Sequence, residues 1–151
     1  LADKTIDIRR AREGDLEALL PLVRGYREFY KQTHDGASER ATMAGHLRDD
    51  TSTVYLAWNG ERAVGFVQIF AYASTVRLAP SLVLEDLFVA TDARGSGVAT
   101  RLLERALEHA RRIGAAGMFL ETAMDNATAQ RVYERCGWVR EGHFFKYNAP
   151  L

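Results

Sequence analysis

The run Leu87-Phe88-Val89-Ala90-Thr91-Asp92-Ala93-Arg94-Gly95-Ser96-Gly97-Val98-Ala99-Thr100-Arg101-Leu102-Leu103 has the residue types needed to hold an anion. A β-rich stretch ends at Val89, a turn carries Arg94, Gly95 and Gly97, and a helical pattern begins near Val98. Glycines let a ligand approach the backbone closely, and the first N–H groups of a helix, unpartnered within it, face the anion at the positive end of the helix dipole. Arg94 adds charge-assisted hydrogen bonds. A P-loop requires Lys then Ser or Thr after the second glycine, where this chain has Val98-Ala99. A dinucleotide fingerprint requires a third glycine where Thr100 stands. A pyrophosphate-binding turn of another kind and a glycine-rich turn without a ligand are the readings left.

Three carboxylates stand near strand ends: Glu85, Asp86 and Glu121. On an unbroken strand Glu85 shares a face with Leu87 and Val89 while Asp86 faces the other way, and a bulge inverts that arrangement. Further on, Asn126 is placed to cap a helix carrying Tyr133, and Gly137 to end it. From spacing alone, Tyr133 reads as an aromatic residue packing that helix onto a sheet.

The elements that must position these residues follow from periodicity. Thr5–Arg9 alternates as a half-buried strand. Asp15 caps a helix with Leu16, Leu19, Leu20 and Val23 on one face, which Pro21 kinks or resets before it resumes through Tyr26, Phe29 and Tyr30. Residues 31–38 read as a mobile loop and Glu39–Leu47 as a short helix. Val54–Trp58 and Ala63–Ile69 form a hairpin about Asn59-Gly60, and Leu82–Val89 is a further strand. A stripe of Leu102, Leu103, Ala106, Leu107, Ala110 and Ile113 marks a long helix ended by Gly114. Met118–Thr122 reads as a buried strand, Thr128–Cys136 as a helix, and Trp138–Tyr147 as one or two closing strands. This order predicts an α/β fold, a mixed central sheet flanked by helices.

With 151 residues, 20 Lys+Arg against 20 Asp+Glu and 47% hydrophobic residues, the composition is that of one globular domain spanning 1–151. Residues 1–4, opening on Leu, are expected to be a non-native or unordered extension. A neutral chain lacks the basic footprint of a nucleic-acid or anionic-membrane binder, so neither is expected as a partner. The single cysteine, Cys136, and four unpaired histidines predict neither a disulfide nor a metal site. With no apolar run of spanning length and no basic-then-apolar leader, a cytoplasmic location is expected.

Arg94-Gly95-Ser96-Gly97-Val98-Ala99, following a strand, resembles the coenzyme-A pyrophosphate loop (Q/R-x-x-G-x-G/A) of the GCN5-related N-acetyltransferases (GNAT). Asn126-Ala127-Thr128-Ala129-Gln130-Arg131-Val132-Tyr133-Glu134-Arg135-Cys136-Gly137-Trp138 is similar to that family's N-x-x-A-x-x-x-Y-x-x-x-G-F element, with Trp in place of Phe and the Ala at position 129. Glu85-Asp86-Leu87-Phe88-Val89 and Tyr26–Lys31 also resemble the branch of the yeast Hpa2-type enzymes. The resemblance covers residues 5 to 147.

It implies the GNAT fold and acetyl transfer from acetyl-CoA to a primary amine by direct attack, through a tetrahedral intermediate, with no metal. It also implies cofactor contacts from Leu87, Phe88, Val89, Arg94, Gly95, Ser96, Gly97, Val98, Ala99, Thr100, Asn126 and Tyr133. Backbone N–H groups in 87–89 meet the developing oxyanion, and Tyr133 protonates the departing thiolate. An alkyl amine with a pKa of about 10.4 must lose a proton first, so a base or water relay is required; Glu85 and Glu121 stand first for it and Asp86 behind them. Tyr30, Glu85 and Asp86 are the acceptor-binding candidates. A small-molecule amine is the expected acceptor, homodimerisation is implied by the family, and a non-catalytic acyl-CoA-binding sensor is the alternative function.

Overall fold

Strand-forming runs and amphipathic helices alternate as the sequence predicts, and a computed structural model describes residues 5–151; the expectation for residues 1–4 lies outside them. The strands are β1 (Asp7–Arg10), β2 (Thr53–Asn59), β3 (Arg62–Ser74), β4 (Ala79–Val89) and β5 (Gly117–Phe119), and they lie in the sheet in that order. β1 to β4 pair antiparallel, whereas β4 and β5, joined through a helix, pair parallel. The helices are α1 (Leu16–Phe29), α2 (Gly36–Asp49), α3 (Val98–Arg112) and α4 (Ala127–Arg135). The chain divides into one compact unit up to Glu121 and a second from Thr122. No helix among the described residues is long and apolar enough to cross a membrane.

Pairing register assigns the faces of the first unit's sheet. Val54, Leu56 and Phe66 point to one face, where Leu19, Leu22 and Val23 of α1 and Met43 of α2 cover them. Tyr55, Gly65 and Val67 point to the other, which α3 covers with Val98, Leu102, Leu103 and Ala106. The helix approaches closely at Gly65: a Cβ there would stand 3.0 Å from the Phe88 carbonyl oxygen and 3.2 Å from Leu102 and Val98. Gly65→Ala should therefore lower stability by about 1–3 kcal/mol through overpacking, read as a lower urea midpoint with an unchanged slope. An unmoved midpoint would mean that α3 is free to shift outward. At its far end α3 is fastened to β2, where the buried His109 Nδ1 meets the Tyr55 hydroxyl at 3.1 Å and Arg112 donates to the same hydroxyl at 3.0 Å. Burial, with Arg112 and Arg10 nearby, lowers the His109 pKa and favours a neutral ring.

Several elements differ from the sequence reading. Pro21 neither ends nor resets α1, which runs through it: the one lost hydrogen bond is outweighed by burial of Leu19, Leu22 and Val23 on either side. The Asp15 side chain does not cap α1 but accepts from the Arg12 N–H at 2.8 Å. α2 begins earlier than expected because Asp35 caps it, accepting from the Ser38 N–H at 3.0 Å. The β2–β3 turn is Gly60-Glu61 rather than Asn59-Gly60, since Asn59 pairs with Arg62 and only Gly60, at φ 62°, takes the left-handed conformation.

Met118–Thr122 is not a buried strand. β5 pairs with β4 only from Ser81 to Val83, and Phe119 is 45% exposed. The closing strands expected over Trp138–Tyr147 do not form, and Val139, Phe144, Phe145 and Tyr147 are exposed. Glu141 gives the physical reason: its carboxylate accepts from the N–H groups of Gly142 and His143 at 2.8 and 2.6 Å, so backbone donors that a ladder would use are bound locally.

Candidate functional site

A one-residue irregularity in β4 organises the first unit's site. Gln68 pairs with Asp86 but Ile69 pairs with Leu84, so Glu85 is an extra residue bulged out of the ladder. The bulge sends Leu84, Leu87 and Val89 to the α3 face and Asp86 and Phe88 to the α1 face. Glu85 therefore does not share a face with Leu87 and Val89 as simple alternation requires; it is exposed, and its carbonyl accepts from the Tyr26 hydroxyl at 3.4 Å. Beyond Val83 β4 no longer pairs with β5, which leaves one backbone edge of β4 open. Ala90 donates to the Val64 carbonyl. By ladder alternation the N–H and C=O of Leu87 then point away from β3, toward that open edge.

The edge leads into the glycine turn. Gly95 and Gly97 hold φ of 76° and 80°, values costly for other residues, and a Cβ on either would meet no atom within 4 Å. Space is therefore open over the turn. Arg101 makes the first backbone bond of α3, to Gly97, and no side chain caps the helix or supplies an acid in its first turn. The N–H groups of Val98, Ala99 and Thr100 lack acceptors within the helix, an arrangement able to accept an anion. Arg94 is held by the Val89 carbonyl at 2.9 Å and lies 5.4 Å from the Phe88 ring centre, and Ser96 braces the turn by donating to the Ala93 carbonyl at 2.6 Å. These residues fit a pyrophosphate-bearing ligand.

On the α1 face the bulge presents Asp86. Gln68 Nε2 donates to Asp86 Oδ2 at 2.5 Å, and Ser52 Oγ donates to Gln68 Oε1 at 2.7 Å. Burial pushes the Asp86 carboxyl above the usual carboxylate range; Gln68 and Tyr26 pull it down as donors, Glu85 pushes it up and His46 pulls it down. Burial also pushes the Tyr26 hydroxyl far above its ordinary value, so it remains a donor. The Tyr26 ring is edge-on to Tyr30, Phe66 and Phe88 at 5.1, 5.9 and 6.1 Å, while Tyr30 is 48% exposed. His46 meets Thr51 Oγ1 at 2.6 Å and sits edge-on to Phe70. Glu121 follows β5 and is exposed.

In the second unit, Asn126 caps α4 by accepting from the Ala129 N–H at 3.2 Å. Tyr133 lies within α4 with its ring 6.3 Å from Trp138, and Gly137 at φ 86° ends the helix. Sequence reasoning missed Ser52 and Gln68. The signal was present in Gln68, a polar residue inside the apolar run Val64–Ile69, where burial demands a hydrogen-bonding partner.

A mixed sheet split beside a bulge, with an anion-accepting helix start at the end of the same strand, defines an acyl-transfer type of α/β domain. The chain belongs to the Acetyltransferase (GNAT) family, whose profile matches residues 16–138, and it is an acetyltransferase. An uncharacterized N-acetyltransferase, YhfO, of Bacillus subtilis is 33% identical over 147 residues, 96% of this chain and 99% of that protein. The crystal structure of a probable acetyltransferase superposes with a TM-score of 0.91 at 36% identity, covering 96% of this chain and 97% of that one. An aminoglycoside N-acetyltransferase, AAC(6')-Iy, solved in complex with CoA, shares the fold with a TM-score of 0.83 at 22% identity over 97% of this chain and 96% of that one.

Proposed function

We propose that the protein transfers the acetyl group of acetyl-CoA to the primary amine of a small acceptor, by direct attack and without a covalent acyl-enzyme. One observation carries the reading: β4 joins, through its bulge, an anion-accepting turn at Gly95–Thr100 to a half-buried acid at Asp86. Val98, Ala99 and Thr100 would hold the pyrophosphate through their N–H groups, with Arg94, Gly95, Ser96 and Gly97 shaping the turn and Leu87–Val89 offering the open strand edge. Acetyl-CoA supplies the activated thioester. The Leu87 N–H, on that open edge, would meet the negative charge that develops on the carbonyl oxygen.

At the acceptor end we assign the base to Asp86 in preference to Glu85 and Glu121. Its raised pKa brings proton acceptance closer to neutrality, and it faces the aromatic wall of Tyr26 and Phe88. Exposed Glu85 and Tyr30 would make the outer contacts. Relatives support an amine acceptor: one of them is named a spermidine N(1)-acetyltransferase, of Vibrio cholerae, 27% identical over 65% of this chain and 56% of that one. The location is proposed to be cytoplasmic, and the exposed Phe144, Phe145 and Tyr147 support a homodimer.

Acetyl-CoA-dependent thiol release against separate polyamines, aminoglycosides, amino acids and short peptides tests the proposal, with a no-acceptor control because Cys136 is a free thiol. Release with one amine class supports it. Acetyl-CoA binding without release from any acceptor favours the non-catalytic sensor. The family resemblance gives Tyr133 the role of acid and Asn126 a contact with the donor. Tyr133→Phe should lower kcat about 10²-fold while the acetyl-CoA Kd stays within about two-fold, since only a hydroxyl is lost; equal rates would remove Tyr133 from proton transfer.

A further inference from the structure

Asp86 has a supporting shell that the acetyl-transfer reading does not itself require. Ser52 and Gln68 are 7% and 5% exposed, among the few buried polar side chains of the described residues. Ser52 immediately precedes β2 and Gln68 lies on β3, and hydrogen bonds run from Ser52 through Gln68 to Asp86 on β4. An ionised carboxylate only accepts hydrogen bonds, so the Gln68 carboxamide must turn its NH₂ toward Asp86 and its oxygen away. Ser52 donates to that oxygen and holds the carboxamide in this orientation. A flipped carboxamide would set two acceptors against each other at Asp86 and would require the Ser52 hydroxyl to turn and accept from the NH₂.

We propose that Gln68, clamped by Ser52, is a positioning residue: it fixes the Asp86 carboxylate in one orientation toward the acceptor amine and keeps it able to take a proton. Asp86 is also faced by Tyr26 from α1 and, behind it, Tyr30 at the C-terminal cap of that helix, by His46 from α2 and by Glu85 from its own strand. Gln68 is the neutral donor among these that the sheet itself supplies. Loss of its N–H leaves burial less opposed, so Asp86 binds its proton more tightly and loses its preferred rotamer.

The test uses Gln68→Leu and Ser52→Ala, with carbon-13 NMR titration of the aspartate side-chain carboxyls in the full chain, assigning Asp86 by its loss in Asp86→Asn. In Gln68→Leu the Asp86 titration is expected to move up by about one pH unit. The acidic limb of kcat/KM follows it, and the acceptor KM rises about ten-fold, while the acetyl-CoA Kd does not move. Ser52→Ala shifts the titration in the same direction by less, and it decides the matter if Gln68→Leu does not fold. A general packing role would lower stability in both variants without moving the Asp86 titration, and that result overturns the proposal. The kinetic half rests on the acetyl-transfer reading. If the wild type acetylates no amine, that reading fails, and the NMR titration still judges the Ser52–Gln68–Asp86 relay.

Discussion

Gly97→Glu is expected to abolish acetyl-CoA binding in a protein that remains folded. Gly97 sits at φ 80°, so any side chain there carries backbone strain of about 1–2 kcal/mol. Yet its Cβ would meet no atom within 4 Å, and no packing clash adds to that cost. A carboxylate at this point also lies at the positive end of α3, where no acidic residue now stands, and its attraction to the helix dipole offsets part of the strain. For the ligand the change works in reverse. The new carboxylate occupies the N–H groups of Val98–Thr100 and repels a pyrophosphate, and losing charge-assisted bonds of about 1.5–3 kcal/mol each corresponds to at least about a 10²-fold weaker Kd. Gly97→Ala separates the two effects, since it carries the strain without the charge and should bind within about ten-fold of wild type. Calorimetric titration of both variants with acetyl-CoA decides it. Unchanged affinity in Gly97→Glu would remove the turn from the donor site.

That turn was the most legible part of the chain, because its geometry is local. Two glycines at the left-handed positions, and the apolar stripe of α3 behind them, specify the turn and its uncapped helix start without reference to any distant residue. Asn126 and Gly137 likewise mark both ends of α4 through local capping and a positive φ. The parts that stayed hidden depend on pairing between strands. The Glu85 bulge is invisible in Leu-Glu-Asp-Leu, since either alternation fits the residues until β3 sets the register. Once Glu85 is displaced, Asp86 faces α1 and the ranking of the carboxylates changes. Burial of Gln68 beside Asp86 follows from the same register, so neither could be weighed before it was known. The short β5 and the strandless stretch after Trp138 show the other limit: apolar residues such as Phe119 and Phe144 satisfy a strand pattern but cannot form a strand where the backbone partners are absent or the N–H groups are bound to Glu141.

Asp86→Asn should lose activity and gain stability, and the two changes together distinguish a site residue from a structural one. As the proposed base, Asp86 supplies about 10²–10⁴ in rate, so the substitution should lower kcat by that factor with the acetyl-CoA Kd intact. Glu85→Gln and Glu121→Gln, assayed alongside, should cost less; a larger loss in either would transfer the base to that residue. The stability effect follows from the direction of the pKa shift. Burial raises the Asp86 carboxyl above its unfolded value of about 3.9, so the folded protein binds this proton more tightly than the unfolded chain does. Its contribution to stability is fully present below the unfolded pKa and is lost as pH rises through the folded one. Asn never ionises and escapes that loss. The difference in melting temperature between Asp86→Asn and wild type should be near zero around pH 3.5, open in favour of the variant as pH rises through the folded-state pKa, and stay constant above it. If the variant instead melts lower at neutral pH, the ionised Asp86 is stabilising the fold through Gln68 and Tyr26, and the carboxylate is structural rather than held at a cost for its chemistry.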